Sequence, residues 1–149
     1  MRFVDTSVLL YSVSTDPGEL DKAAIAARIL RAPDLAMSVQ VLQEFFVQAT
    51  RRGAGRSLSS DEAHGFIATW LRYPILETTT DLMRRAITAS ARWQISYWDA
   101  AIVEAARLLG CSQLLTEDLN DGQDFAGVRA VDPFRAAPPG STPPTEATG

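Results

Sequence analysis

The sequence predicts an α/β protein built around a central, mainly parallel sheet of about five strands, with helices on its faces. Two patterns predict it. Short apolar, strand-like runs alternate with longer stretches in which apolar side chains recur at helical spacing, and acids follow closely on two of those runs.

Phe3-Val4 is a short buried strand that ends at Asp5. The breaker Asp16-Pro17-Gly18 precedes a helix over 19–31, where Ala23, Ile25, Ala26, Ile29 and Leu30 keep helical spacing. A second strand is expected over 35–39. A helix follows from about Gln40 to Arg52, stopped by Gly53. Ser59, Ser60, Asp61 and Glu62 supply capping groups for a helix reaching about Arg72. Pro74 ends it, and 75–78 is strand-like. Thr80-Asp81 opens a helix to about Trp93, and another begins near Trp98-Asp99 and runs to Gly110, a residue suited to a helix C-terminus. Residues 113–116 and 128–131 are the last two strands.

At 149 residues, 46% hydrophobic and 21% charged, the chain fits one domain of ordinary size. That domain is expected over 1–135. Residues 136–149 are rich in Pro, Gly, Ser and Thr with Glu146 the only charge, a composition expected of a flexible tail because it buries too little apolar surface to offset its ordering entropy. The N-terminal apolar run is short and carries Asp5, so neither a signal peptide nor a membrane span is expected there. A single cysteine, Cys111, excludes an internal disulfide and a Cys-rich zinc site, which favours a reducing, cytoplasmic setting. With 14 basic and 18 acidic residues the net charge is −4, which disfavours a purely electrostatic nucleic-acid binder. The only lysine is Lys22, so a P-loop is excluded.

Ligands of open parallel sheets bind beyond the carboxyl ends of the strands, and there the acids fall. Asp5 follows the first strand and Asp118 the fourth, in Thr116-Glu117-Asp118; Glu44 and Asp99 lie near the starts of two helices. Each has an ordinary explanation taken singly. Asp5 can cap the next turn, Glu44 can share a solvated stripe with Gln40 and Gln48, Asp99 can complement a helix dipole, and Asp118 can sit in a polar turn. If the four converge, their repulsion calls for a cation. Oxygen donors without His or Cys select Mg²⁺ or Mn²⁺, and such a site suits phosphodiester chemistry.

These residues carry a resemblance. FVDTSVLLY, AMSVQVLQEFFVQATRR, ISYWDAAIVEAARLLGC and LLTEDLNDGQDF resemble, in order and context, the four acidic motifs of PIN-domain proteins of the VapC toxin type. The resemblance implies an α/β/α sandwich and a Mg²⁺-dependent endoribonuclease, commonly dimeric and held inactive by a small cognate antitoxin. It implies catalytic roles for Asp5, Glu44, Asp99 and Asp118, with Asp5, Asp99 and Asp118 on the metal. Thr6, Ser7 and Thr116 follow as hydrogen-bonding supports. Asp121 is a further support that either helps the metal or caps a turn. A PIN-type nuclease of RNA processing, or one acting on DNA without an antitoxin, is the alternative.

Other acid-rich α/β classes fit less well. A receiver-like domain needs an acidic pair at the first strand and a late lysine, and a dehalogenase-like phosphatase needs an acid where Ser7 stands. A purely structural module leaves the acids unexplained. Arg51, Arg52 and Arg56 are candidate RNA contacts, although arginines at a helix C-terminus also suit the dipole. Phe45, Phe46, Trp70, Tyr73, Trp93, Tyr97 and Trp98 are read mostly as core, some facing a partner. His64 lies away from every motif and receives no catalytic role.

Overall fold

The computed structural model describes residues 1–52 and 57–135. Arg56 and the expected tail, 136–149, lie outside them. The chain runs β1 (Arg2–Val4), α1 (Thr6–Ser12), a 3₁₀ turn (Pro17–Glu19), α2 (Leu20–Ile29), β2 (Leu35–Ser38) and α3 (Val39–Ala49). It continues through α4 (Ser60–Trp70), β3 (Ile75–Leu76), α5 (Thr80–Trp93), α6 (Tyr97–Leu108), β4 (Gln113–Leu115) and β5 (Arg129–Val131). The five strands form one sheet in the order β3-β2-β1-β4-β5, and every neighbouring pair is parallel. The expected α/β class and strand count are therefore those observed.

The strand order dictates the layering. From β1 the chain steps outward to β2 and β3, then returns across the sheet to β4 and β5. Right-handed crossovers place helices of the outward steps on one face and those of the return step, α5 and α6, on the other. Phe3, Val4, Leu35, Ala36, Met37 and Leu114 are fully buried between these layers, as near-continuous apolar strands of a two-sided parallel sheet should be. Val8, Leu9 and Phe45 close the core from α1 and α3, each contributing about 1.5–3 kcal/mol by burial.

Helix starts follow side-chain chemistry. Ser38, Ser59, Thr79 and Ser96 each accept a hydrogen bond from a first-turn N–H, and Ser59 with Glu62 forms a reciprocal capping box. Gly110 takes φ +74° after α6, the left-handed conformation that glycine adopts without strain. Several boundaries differ from expectation, among them the end of α3 at Ala49, short of Arg52, with Gly53 outside the described residues. Val39 begins α3 instead of ending β2, because Ser38 caps there; β3 pairs over only two residues; and α6 starts at Tyr97, with Asp99 inside its first turn. Helix α1 was not expected at all. At seven residues it is too short to show a helical period, and it is held by the Asp5 cap and by burial of Val8 and Leu9.

Candidate active site

In this strand order β1 and β4 are neighbours whose onward connections leave in opposite directions, which opens a crevice at their carboxyl ends. Asp5 leaves β1 and Thr116-Glu117-Asp118 leaves β4, so both segments meet at that crevice. The backbone joins them: Asp5 N–H donates to the Leu115 carbonyl at 3.0 Å.

Asp5 is 4% exposed. Its Oδ1 accepts from Thr6 N–H at 2.7 Å, and its Oδ2 accepts from the Thr116 hydroxyl at 2.7 Å. It is thus both the cap of α1 and a buried carboxylate facing the other acids. Burial pushes its pKa up to about 7, with Asp118 and Glu44 adding like-charge repulsion and the Thr116 and Thr6 hydrogen bonds opposing the rise. The same Thr116 hydroxyl accepts from Asp118 N–H at 3.1 Å, which sets the start of the loop carrying Asp118. Asp118 stands at the exposed rim. Desolvation of its carboxyl, followed by repulsion from Asp99, Glu117 and Glu44, holds it above the usual carboxylate range, while a hydrogen-bonding interaction with Asp5 works the other way. Asp118 is thus the acid that feels the charge of the others, Asp99 and Glu44 included, while Asp5 feels that of Asp118 and Glu44.

Glu44 is not part of a solvated stripe. Gln40, buried one turn earlier on α3, donates from Nε2 to Glu44 Oε1 at 3.0 Å and to the Trp98 carbonyl at 3.3 Å, while the Thr6 hydroxyl donates to Glu44 Oε2 at 3.0 Å. One amide therefore ties α3 to the start of α6, where Asp99 lies. Both Glu44 oxygens have a donor, which fixes the carboxylate before anything binds.

Glu44 and Asp118 open onto a cleft of about 370 Å³ whose walls also include Ser7, Tyr11, Arg51 and Glu117, whereas Asp5 and Asp99 are not among its lining residues. Tyr11 hydroxyl donates to Glu117 Oε1 at 2.7 Å, and Lys22 Nζ donates to the Tyr11 oxygen at 3.1 Å and to Glu117 Oε2 at 3.3 Å. The only lysine of the chain thus offsets Glu117, the neighbour of Asp118. Arg51 lies at the cleft beside Glu44, Arg52 is exposed outside its lining, and Arg56 falls outside the described residues.

Two residues whose sequence reading is open take definite places. Asp121, expected either to help the metal or to cap a turn, accepts at Oδ1 from Asp132 N–H at 2.9 Å and pairs through Oδ2 with Arg135 at 3.5 Å, so its carboxylate secures the chain just after β5. Trp98, one of the aromatics read mostly as core with some facing a partner, is 62% exposed beside Gln40, Glu44 and Arg51 at the rim. Phe45, Trp70 and Tyr73 are buried as expected. Gln40 and the Tyr11–Lys22–Glu117 group carried no functional signal in the sequence, because contacts from Tyr11 to Glu117 span more than a hundred positions.

The donor set suits a hard divalent cation. Every candidate ligand is a carboxylate oxygen, two of the carboxyls are raised partly by mutual repulsion that a cation would relieve, and the buried Ser7 Oγ at the cleft has no hydrogen-bond partner among the described residues. Among the described residues no three His, Cys, Asp or Glu side chains form a ready cage. Mg²⁺ is commonly held by one or two carboxylates with waters and substrate phosphates completing its shell, so the set remains compatible with it.

A family model for the PIN domain matches residues 2–126. A search of curated protein sequences gives no match. Among solved structures, the chain is similar to VapC20 of Mycobacterium tuberculosis, described as a Sarcin-Ricin loop cleaving toxin, at 23% identity and TM-score 0.62, covering 79% of this chain and 92% of that one. A toxin-antitoxin complex from Klebsiella pneumoniae aligns at 20% identity and TM-score 0.63 over 91% of this chain and all of the other, 100%. DNA-bound VapBC from Salmonella typhimurium aligns at 17% identity and TM-score 0.59 over 89% and 97%. These likenesses are of fold. Among the described residues, no helix is long and apolar enough to cross a membrane.

Proposed function

Because the chain belongs to the PIN domain family, we propose that it is a Mg²⁺-dependent endoribonuclease that acts as the toxin of a toxin–antitoxin pair. The observation that carries this reading is the buried Asp5 carboxylate, held by Thr116 and Thr6 and electrostatically coupled to Glu44 and Asp118 at the switch point of a parallel sheet. The antitoxin half of the proposal is supported by the likeness to chains described as parts of toxin-antitoxin complexes.

Asp5, Asp99 and Asp118 would hold Mg²⁺ or Mn²⁺, which when bound supplies charge to a phosphate oxygen and lowers the pKa of a water. The chain's own residues set the geometry. Thr116 fixes Asp5 and the Asp118 loop with one hydroxyl, and Thr6 and Gln40 orient Glu44 so that its carboxylate can receive a proton from an attacking water. Arg51 offers a planar guanidinium to a phosphate at the cleft edge. A homodimer and a small cognate antitoxin belong to the same proposal.

The test is incubation of the purified, antitoxin-free chain with a pool of structured RNAs and, separately, single-stranded DNA, with Mg²⁺ or with chelator. Cleavage of RNA that stops with chelator is expected. Cleavage of DNA alone would favour the alternative nuclease, and cleavage of neither would remove the proposal.

A further inference from the structure

The chain is acidic overall, yet one groove on it is lined with arginine. It lies between α5 and α6, has a volume of about 550 Å³, and carries Arg84, Arg85, Arg92 and Arg107 against Asp81 and Glu104. None of its lining residues borders the acidic cleft.

The two acids are already matched. Arg85 Nε pairs with Asp81 at 2.8 Å, and Arg107 pairs with Glu104 at 3.2 Å while donating from Nη1 to the Ala126 carbonyl at 2.6 Å. Arg84 and Arg92 form no ion pair among the described residues and are exposed. They lie eight positions apart on α5 with Thr88 between them, so one side of the helix carries two arginines without an acidic partner among the described residues, their backbone positions about 12 Å apart along the axis. The Arg92 guanidinium stacks 4.5 Å from the centre of the Trp93 ring, which limits its motion. A net positive groove with cations repeated along a straight axis and an aromatic at one end suits the backbone of a single nucleic-acid strand.

We propose that the α5–α6 groove binds phosphates of a single-stranded RNA segment outside the acidic cleft, through Arg84 and Arg92. The inference rests on the ribonuclease reading for the choice of RNA. It deepens that reading by giving an acidic protein a second point of hold on its substrate.

The test uses fluorescence anisotropy with a fluorescein-labelled, mixed-sequence single-stranded RNA, on the full chain carrying Asp99→Asn so that the probe stays intact. Adding R84E and R92E should raise Kd at least about tenfold and make the salt dependence shallower by about 1.4, two contacts at about 0.7 each for a single strand. R84Q with R92Q should show the same direction, and circular dichroism checks that each variant folds. R28E with R31E on and just after α2 matches the change in net charge and should weaken binding far less. Unchanged affinity and salt slope in R84E/R92E, an equal loss in R28E/R31E, absence of RNA binding by the parent at low salt, or displacement of the RNA by an equal charge of polyglutamate would each overturn the proposal. Cleavage by the wild-type chain is scored separately. Loss of binding in R84E/R92E beside a wild type that cuts no RNA would remove the nuclease reading alone, and intact cleavage with unchanged binding would remove the groove alone.

Discussion

Thr116 Oγ1 donates a 2.7 Å hydrogen bond to Asp5 Oδ2 across 111 positions of sequence, and the same oxygen accepts from Asp118 N–H at 3.1 Å. One buried hydroxyl therefore couples the carboxylate at the end of β1 to the loop at the end of β4. It makes the two strand ends a single unit.

Thr116→Val keeps the volume and removes both bonds. The loss leaves a buried carboxylate oxygen and an amide without partners, an expected cost of about 1–3 kcal/mol. Binding of Mn²⁺, followed by calorimetry, should weaken by about 10–100-fold, the usual effect of removing a hydrogen bond that orients a ligand. Thr116→Ser should restore most of it. Equal affinity in the valine variant would show that the hydroxyl does not set the site.

Asp5 gives the protein a pH dependence of stability whose sign is fixed by its pKa of about 7 in the fold. An unfolded aspartate releases its proton near pH 4, so the folded state is favoured fully below that pH. Between about pH 4 and 7 the unfolded chain gives up a proton that the folded chain keeps, and stability falls by up to about 4 kcal/mol in total. Asp5→Asn removes this loss. In chelator at pH 8 the variant should melt roughly 8–16 °C above wild type, with the gap closing near pH 4. A gap that stays constant with pH would rule out Asp5 as its origin.

Arg107 holds Glu104, which is buried, and the carbonyl of Ala126. Arg107→Ala leaves Glu104 as a buried charge without its cation and should cost about 3–5 kcal/mol in denaturant unfolding. Adding Glu104→Gln should recover part of that loss. Additive effects of the two substitutions would mean that the pair is not coupled.

The sheet and its acids were legible because strand ends in parallel sheets have a local signature. Phe3-Val4 followed by Asp5, and Leu114-Leu115 followed by Thr116, state both the buried run and the polar exit in a few residues. Helix α1 was not legible, since its seven residues follow no complete helical period and its stability comes from the Asp5 cap and the core beneath it. The spacing of Gln40, Glu44 and Gln48 also allows one solvated stripe of equal members, yet Gln40 is buried and bonds the Trp98 carbonyl, a contact made only when α6 is in place. Asp121 lay in an acid-rich loop, and only the return of the chain at Asp132 and Arg135 shows where its carboxylate is used.

The measurement that bears most directly on the account is cleavage of a structured RNA pool in Mn²⁺ by the wild-type chain beside Asp5→Asn, Glu44→Gln, Asp99→Asn and Asp118→Asn, each verified as folded. Wild type should cleave, and every variant should lose at least about a hundredfold, as happens when one member of a set that acts as a unit is removed. Wild-type rates in Asp99→Asn or Asp118→Asn would contradict it, because those acids would then lie outside the chemistry that the crevice performs.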